Sequence, residues 1–259
     1  MLQLNTTDLS TDSVHAWHVE PAPAAAPEAD PPSCSNCYLR NVCLPCGLSE
    51  EAILKLENLT RVKRRIMRGA ALYREGDLFH SLYAIRSGSF KNVGTAGAAQ
   101  GKVTGLHLPG EILGLDAIST QVHGYDAVAL EDAEVCVLEY AQLTQLTLRL
   151  PELQAHLLRA LSGDIARDRG LLLRLGGMTA EQRVAAFLLS LSARYQKLGY
   201  AGTRFSVRMA RQDIASYLGL TVETVCRLLS RLQRDGLIEA QGREVRLKEL
   251  PRLRKLVGY

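Results

Sequence analysis

Near its C-terminal end the chain reads "RQDIASYLGLTVETVCRLLSRLQRDGLI", Arg211–Ile238. A first amphipathic segment stops at Gly219, a tight turn passes through Leu220 and Thr221, and a second segment starts near Val222. Small Ala215 lets two helices approach, while Ile214, Leu218, Val225 and Leu229 supply apolar packing, which is the build of a helix-turn-helix. The second helix exposes Glu223, Cys226 and Arg227 at i, i+3 and i+4 in the turns that enter a major groove, with Thr221 and Thr224 beside them. A Glu accepts from cytosine's amino group and an Arg grips guanine with two donors, so double-stranded DNA is the expected partner.

The surroundings fit. "LIEAQGREVRL" alternates about Gln241-Gly242 as a small wing-like hairpin would, and "TAEQRVAAFLLSLSARYQKLG" before the motif is helical in pattern. From Arg204 to Tyr259 there are twelve Lys plus Arg against six Asp plus Glu, within a chain of net charge +4. A basic terminal domain suits a polyanion.

Upstream, Leu143 to about Leu175 is helical in pattern, with Pro151 suited to a main helix's first turn and Gly176-Gly177 to its end. Leu158, Leu161, Ile165, Asp168, Leu172 and Leu175 are spaced 3, 4, 3, 4, 3, the seam of a coiled coil with one carboxylate inside it. A homodimer is expected. Two carboxylates meeting near the seam would keep it marginal.

From about Val62 to Tyr140, short β-branched, aromatic and aliphatic segments are punctuated by glycine, as in an antiparallel sandwich or roll. "LSEEAILKLENL" before it reads as a short helix with Ser49 as N-cap. Residues 1–33 hold five acidic residues, no Lys or Arg, and the run "EPAPAAAPEADPP", a composition expected to remain disordered. The expected organisation is a leader at 1–33, a cysteine segment at 34–46, a roll at 47–142, a dimerisation helix at 143–177 and a winged helix-turn-helix at 178–259. The class is α+β. No apolar run of membrane-spanning length and no secretory signal is evident, so a cytoplasmic protein without a membrane partner is expected.

Between leader and roll stands "CSNCYLRNVCLPC", Cys34–Cys46, with four of the six cysteines at gaps of two, five and two residues. In a reducing compartment such spacing points to metal or redox chemistry. A thiol enzyme would place its CxxC at a helix start in a βαβ setting, which is not the context here, so no enzyme is expected. Thiolates hold iron–sulfur clusters and zinc alike. Cys34, Cys37, Cys43 and Cys46 would serve zinc from this segment alone, so a zinc-stapled or thiol-redox DNA-binding regulator stays open.

A roll, a dimer-type helix and a C-terminal winged helix-turn-helix, in that order, resemble the family of the cyclic-AMP receptor protein and FNR, the fumarate–nitrate reduction regulator. "SLYAIRSGSFK", "GLHLPGEILGLDAI" and "GLTVETVCRLLSRLQ" look like the FNR branch. The resemblance implies a four-iron four-sulfur (4Fe-4S) cluster, labile to oxygen, on Cys34, Cys37, Cys43 and on Cys136 of "AEVCVLE", leaving Cys46 a spare thiol. It implies that the cluster promotes dimerisation and binding to palindromic sites with TTGAT-type halves under anaerobic conditions. It also carries over Glu223 and Arg227 as base readers and nominates the loop "NVGTAGAAQGK" for RNA polymerase. The phosphate-binding arginine of the cyclic-AMP receptor has no counterpart in "GEILGLDAISTQVHGYDAVAL", so no cyclic nucleotide is expected.

Overall fold

The computed structural model describes residues 33–95 and 101–258. The leader expectation therefore lies outside the described residues apart from Ser33, as does the centre of the 92–102 loop.

Helix α1 (Glu50–Leu59) starts where Ser49 Oγ accepts from the Ala52 N–H at 3.2 Å, with Glu50 and Glu51 in its first turn. Side-chain capping and acidic residues at a helix start satisfy free N–H groups and complement the helix dipole. The roll follows as eight strands: β1 (Lys63–Ile66), β2 (Ala71–Tyr73), β3 (Ser81–Ser87), β4 (Phe90–Gly94), β5 (Lys102–His107), β6 (Ile112–Leu113), β7 (Asp126–Ala129) and β8 (Ala133–Glu139). They form two antiparallel sheets, β1-β8-β3-β6 and β2-β7-β4-β5. The apolar run in β3 has two destinations. Tyr83 and Ile85 pack between the sheets, while Leu82 and Ala84 face the opposite side with Ile53 and Leu56 of α1. A strand covered on both faces needs no polar alternation. The turn from β3 to β4 requires Gly88, at φ +78°, because a Cβ there would lie 2.6 Å from that of Ala133.

The helical stretch expected from Leu143 begins at Tyr140 and is broken. Helix α2 spans Tyr140–Thr147 and α3 spans Pro151–Gly177. Leu150, at φ −131° and ψ 87°, is driven out of the helical region by the proline that follows. Gly176 and Gly177 remain helical, and the end comes at extended Met178. At 27 residues α3 is about 40 Å long. No helix among the described residues is long and apolar enough to cross a membrane.

The C-terminal region holds α4 (Ala180–Lys197), β9 (Arg204–Ser206), α5 (Arg211–Leu218), α6 (Val222–Arg234), β10 (Ile238–Gln241), β11 (Glu244–Leu247) and α7 (Leu250–Val257). A reciprocal cap opens α4: the Gln182 N–H donates to Thr179 Oγ1, and the Thr179 N–H to Gln182 Oε1. The expected hairpin is β10–β11, extended by β9 into a three-stranded sheet. This region shares its core with one edge of the roll, where Val103, Leu106 and Leu108 join Ile214, Leu218 and Val225. Across that seam the Val103 N–H donates to Ser216 Oγ at 2.9 Å, and Arg194 holds Glu111 at 2.6 and 3.0 Å.

Candidate metal centre and nucleic-acid interface

Residues 34–46 form successive turns rather than a helix, closed by bonds such as Arg40 N–H to Cys37 O at 2.9 Å and Cys43 N–H to Leu39 O at 2.9 Å. Two buried leucines, Leu39 and Leu44, seat the loop on the roll. The Cys34 thiol lies 3.3 Å from Thr60 Oγ1, and Ser35 donates through N–H and Oγ to Glu57 Oε1, so α1 fixes the loop's start. Cys136 comes from β8, opposite Lys63 on β1 and Ala84 on β3.

These elements bring Cys34, Cys37, Cys43 and Cys136 to the lining of one cavity, although Cys136 is 90 or more residues from the others in sequence. Cys46 does not line it. Burial pushes the Cys43 thiol up to about 12 and the Cys136 thiol up to about 11, with the neighbouring cysteines adding to both shifts. The Cys34 thiol is raised too, chiefly by burial, against the hydrogen bond shared with Thr60. Groups that share a low-dielectric pocket resist being charged together, and metal binding there releases protons. The donor set suits an iron–sulfur cluster, with four thiolates converging from two segments. The cavity itself is about 30 Å³, room for little more than a water. Among the described residues no group of three or more His, Cys, Asp or Glu is placed to hold a single metal ion.

The sequence singles out Tyr38, beside Cys37, but does not point to Arg86 or Glu134 near this cavity. Arg86 lines it and pairs with Glu134 at 2.5 Å; the Tyr38 hydroxyl donates to the Arg86 carbonyl. Nothing in "AIRSG" distinguishes that arginine from an ordinary strand end.

In the helix-turn-helix, Gly219 takes the left-handed conformation at φ 62° and closes α5. Thr221 caps α6, its Oγ1 accepting from the Thr224 N–H at 3.1 Å. Thr221 is thus a capping residue at the helix start, and half-buried Thr224 meets its hydroxyl at 2.9 Å. Glu223, Cys226 and Arg227 are exposed on one face, while Val225, Leu228, Leu229 and Leu232 are buried behind them.

Along α3, Leu158, Ile165, Asp168 and Leu172 are exposed, whereas Leu161 and Leu175 are half-buried against their own chain. Leu173, outside the expected seam, is 76% exposed. Arg167 is committed to Asp164 at 2.7 Å rather than to Asp168. Loss of hydration raises the Asp168 carboxyl, Asp164 adds to this, and Arg167 opposes it.

Residues 182–256 match the Crp-like helix-turn-helix domain, and residues 63–149 match the cyclic nucleotide-binding domain. The chain is 45% identical over 229 residues to the transcriptional regulatory protein btr of Bordetella pertussis, covering 88% of this chain and 95% of that one. It is 38% identical to the transcriptional activator protein anr of Pseudomonas aeruginosa, over 87% of this chain and 92% of the relative. With the fumarate nitrate reduction regulatory protein of Klebsiella oxytoca it shares 37% identity, over 87% and 90% respectively. Among solved structures, FixK2 from Bradyrhizobium japonicum superimposes with a TM-score of 0.70 at 27% identity, over 76% of this chain and 98% of that one.

Proposed function

The chain belongs to the family of the cyclic-AMP receptor protein and FNR, in its FNR-type branch, and on that footing we propose that it is an oxygen-responsive transcription regulator holding a 4Fe-4S cluster. The observation that carries the reading is the convergence of Cys34, Cys37, Cys43 and Cys136 on one cavity that Cys46 does not line. When bound, the cluster supplies an oxygen-labile centre.

The chain's own residues do the rest. Leu39 and Leu44 seat the cysteine loop, and Cys136 joins it to the strand that leads into α2. Exposed Leu158, Ile165 and Leu172 pair with a second copy, and Asp168 keeps that pairing weak enough to be controlled. Two α6 helices then enter successive major grooves of a near-palindromic site with TTGAT-type halves, where Glu223 and Arg227 read bases. Contact with RNA polymerase through the 92–102 loop belongs to the same proposal.

Zinc on Cys34, Cys37, Cys43 and Cys46 is the second reading, and it needs Cys46 to turn toward the other three. DNA binding tests the oxygen response directly. Protein purified without oxygen is expected to bind a labelled duplex carrying two TTGAT halves tightly at moderate salt and to release it after air exposure. Equal affinity before and after air would remove the oxygen response.

A further inference from the structure

We propose that Arg86 is a positioning residue for the cysteine cage, a fixed positive charge that ties the strand carrying Cys136 to the loop carrying the other three cysteines. This rests on the cluster reading above.

The placement begins with a β-bulge. On β3, Ile85 pairs with Val135 and Ser87 with Glu134, so β3 advances two residues while β8 advances one. Arg86 is the extra residue, with no partner opposite it. Bulges re-aim a side chain in this way. Alternation from Leu82 and Ala84, which face the cysteine side of the sheet, puts Arg86 on that same face. Its guanidinium reaches Glu134, two residues before Cys136, at 2.5 Å, and its side chain is only 22% exposed. Its carbonyl accepts the hydroxyl of Tyr38, the residue after Cys37. One residue thus touches both cysteine-bearing segments while lining the cavity they share.

Charge gives the arrangement a purpose. Four thiolates around iron and sulfide leave excess negative charge in a buried place, where a nearby cation counts for more than it would in water. Three cations are candidates. Arg40 also lines the cavity, but its side chain is 35% exposed and its partner Glu50 lies on α1, away from the strand that carries Cys136. Lys63 lies opposite Cys136 across β1–β8 and does not line the cavity. Arg86 is the more buried of the two lining arginines, and its Glu134 partner fixes its direction.

The test uses the full chain, prepared without oxygen, as the parent and as Arg86→Gln and Arg86→Lys. Iron and acid-labile sulfide are measured first. The rate of iron transfer to an excess of a ferrous chelator, still without oxygen, is measured second. The Gln variant is expected to lose iron about five- to tenfold faster than the parent, and the Lys variant within about twofold of it. Equal rates for Gln and parent overturn the inference. So do equally fast rates for Gln and Lys, which would make shape rather than charge the cause. If the Gln variant carries no iron, a loaded Lys variant supports the inference and an empty one overturns it. A parent chain without iron and sulfide sinks the cluster reading itself, and is recognised before any variant is compared.

Discussion

Lys91 of the roll and Asp213 of the helix-turn-helix meet with Nζ 2.5 Å from Oδ1, their side chains 21% and 16% exposed. Asp213 also accepts from the Ala210 N–H at the start of α5, so the pair couples β4 to the first turn of the first DNA-motif helix. Removing one partner leaves a charge without its counterion in a mostly dry seam. Lys91→Ala is expected to lower stability by about 1–3 kcal/mol, read as a fall in the urea midpoint. DNA affinity should fall with it, because the recognition helix is then less firmly placed. An unchanged midpoint would mean that solvent already reaches the pair.

The Asp168 carboxyl is raised by loss of hydration and by Asp164. On the proposed pairing through α3 a second Asp168 comes close and raises it further, so dimerisation would take up protons. For an acid with a raised pKa, the ionised form carries the penalty, which is present above that pKa and relieved as pH falls through it. Self-association of cluster-free protein should therefore tighten between neutrality and about pH 4. Asp168→Ala should tighten it at neutral pH by about tenfold and flatten the pH dependence. Sedimentation equilibrium measures both.

Glu223 and Arg227 stand exposed one helical turn apart, with no ion pair between them among the described residues. Each replaced by Ala should cost about 1–3 kcal/mol on a specific duplex and relax preference at one base position. The two differ on random DNA. Loss of Arg227 weakens binding there and lowers the salt dependence, whereas loss of Glu223 removes a repulsion and does neither.

Gly219→Ala places a Cβ at φ 62° and 3.3 Å from Leu175 Cδ2 at the foot of α3. A cost of about 1 kcal/mol is expected from the backbone alone. The thermal midpoint should fall accordingly.

The helix-turn-helix is legible in sequence because its signals are local: the 3.6-residue spacing of Ile214, Leu218, Val225 and Leu229, and a glycine where the chain turns. The Ser49 cap of α1 is legible for the same reason. The cysteine cage is half legible. Its three loop members stand in a spacing that equally includes Cys46, and Cys136 in a strand looks like any small buried residue; only the family resemblance set Cys46 apart and singled out Cys136. The Lys91–Asp213 pair joins residues 122 apart, and no periodicity reports such a contact. The Arg86 bulge depends on how β3 and β8 align, which composition does not encode. The inward turn of Leu161 and Leu175 likewise depends on which surfaces the fold offers beside α3. Strand β9 has three residues and helix α7 has eight, too short for their patterns to stand out.

Metal and sulfide content of protein purified without oxygen, for the parent, Cys46→Ala and Cys136→Ala, bears most directly on the cluster. The proposed cluster predicts about four iron and four sulfide per chain in the parent. It predicts the same in Cys46→Ala and loss of both in Cys136→Ala, since Cys136 lines the cavity and Cys46 does not. About one zinc per chain without sulfide, lost in Cys46→Ala and kept in Cys136→Ala, would contradict it.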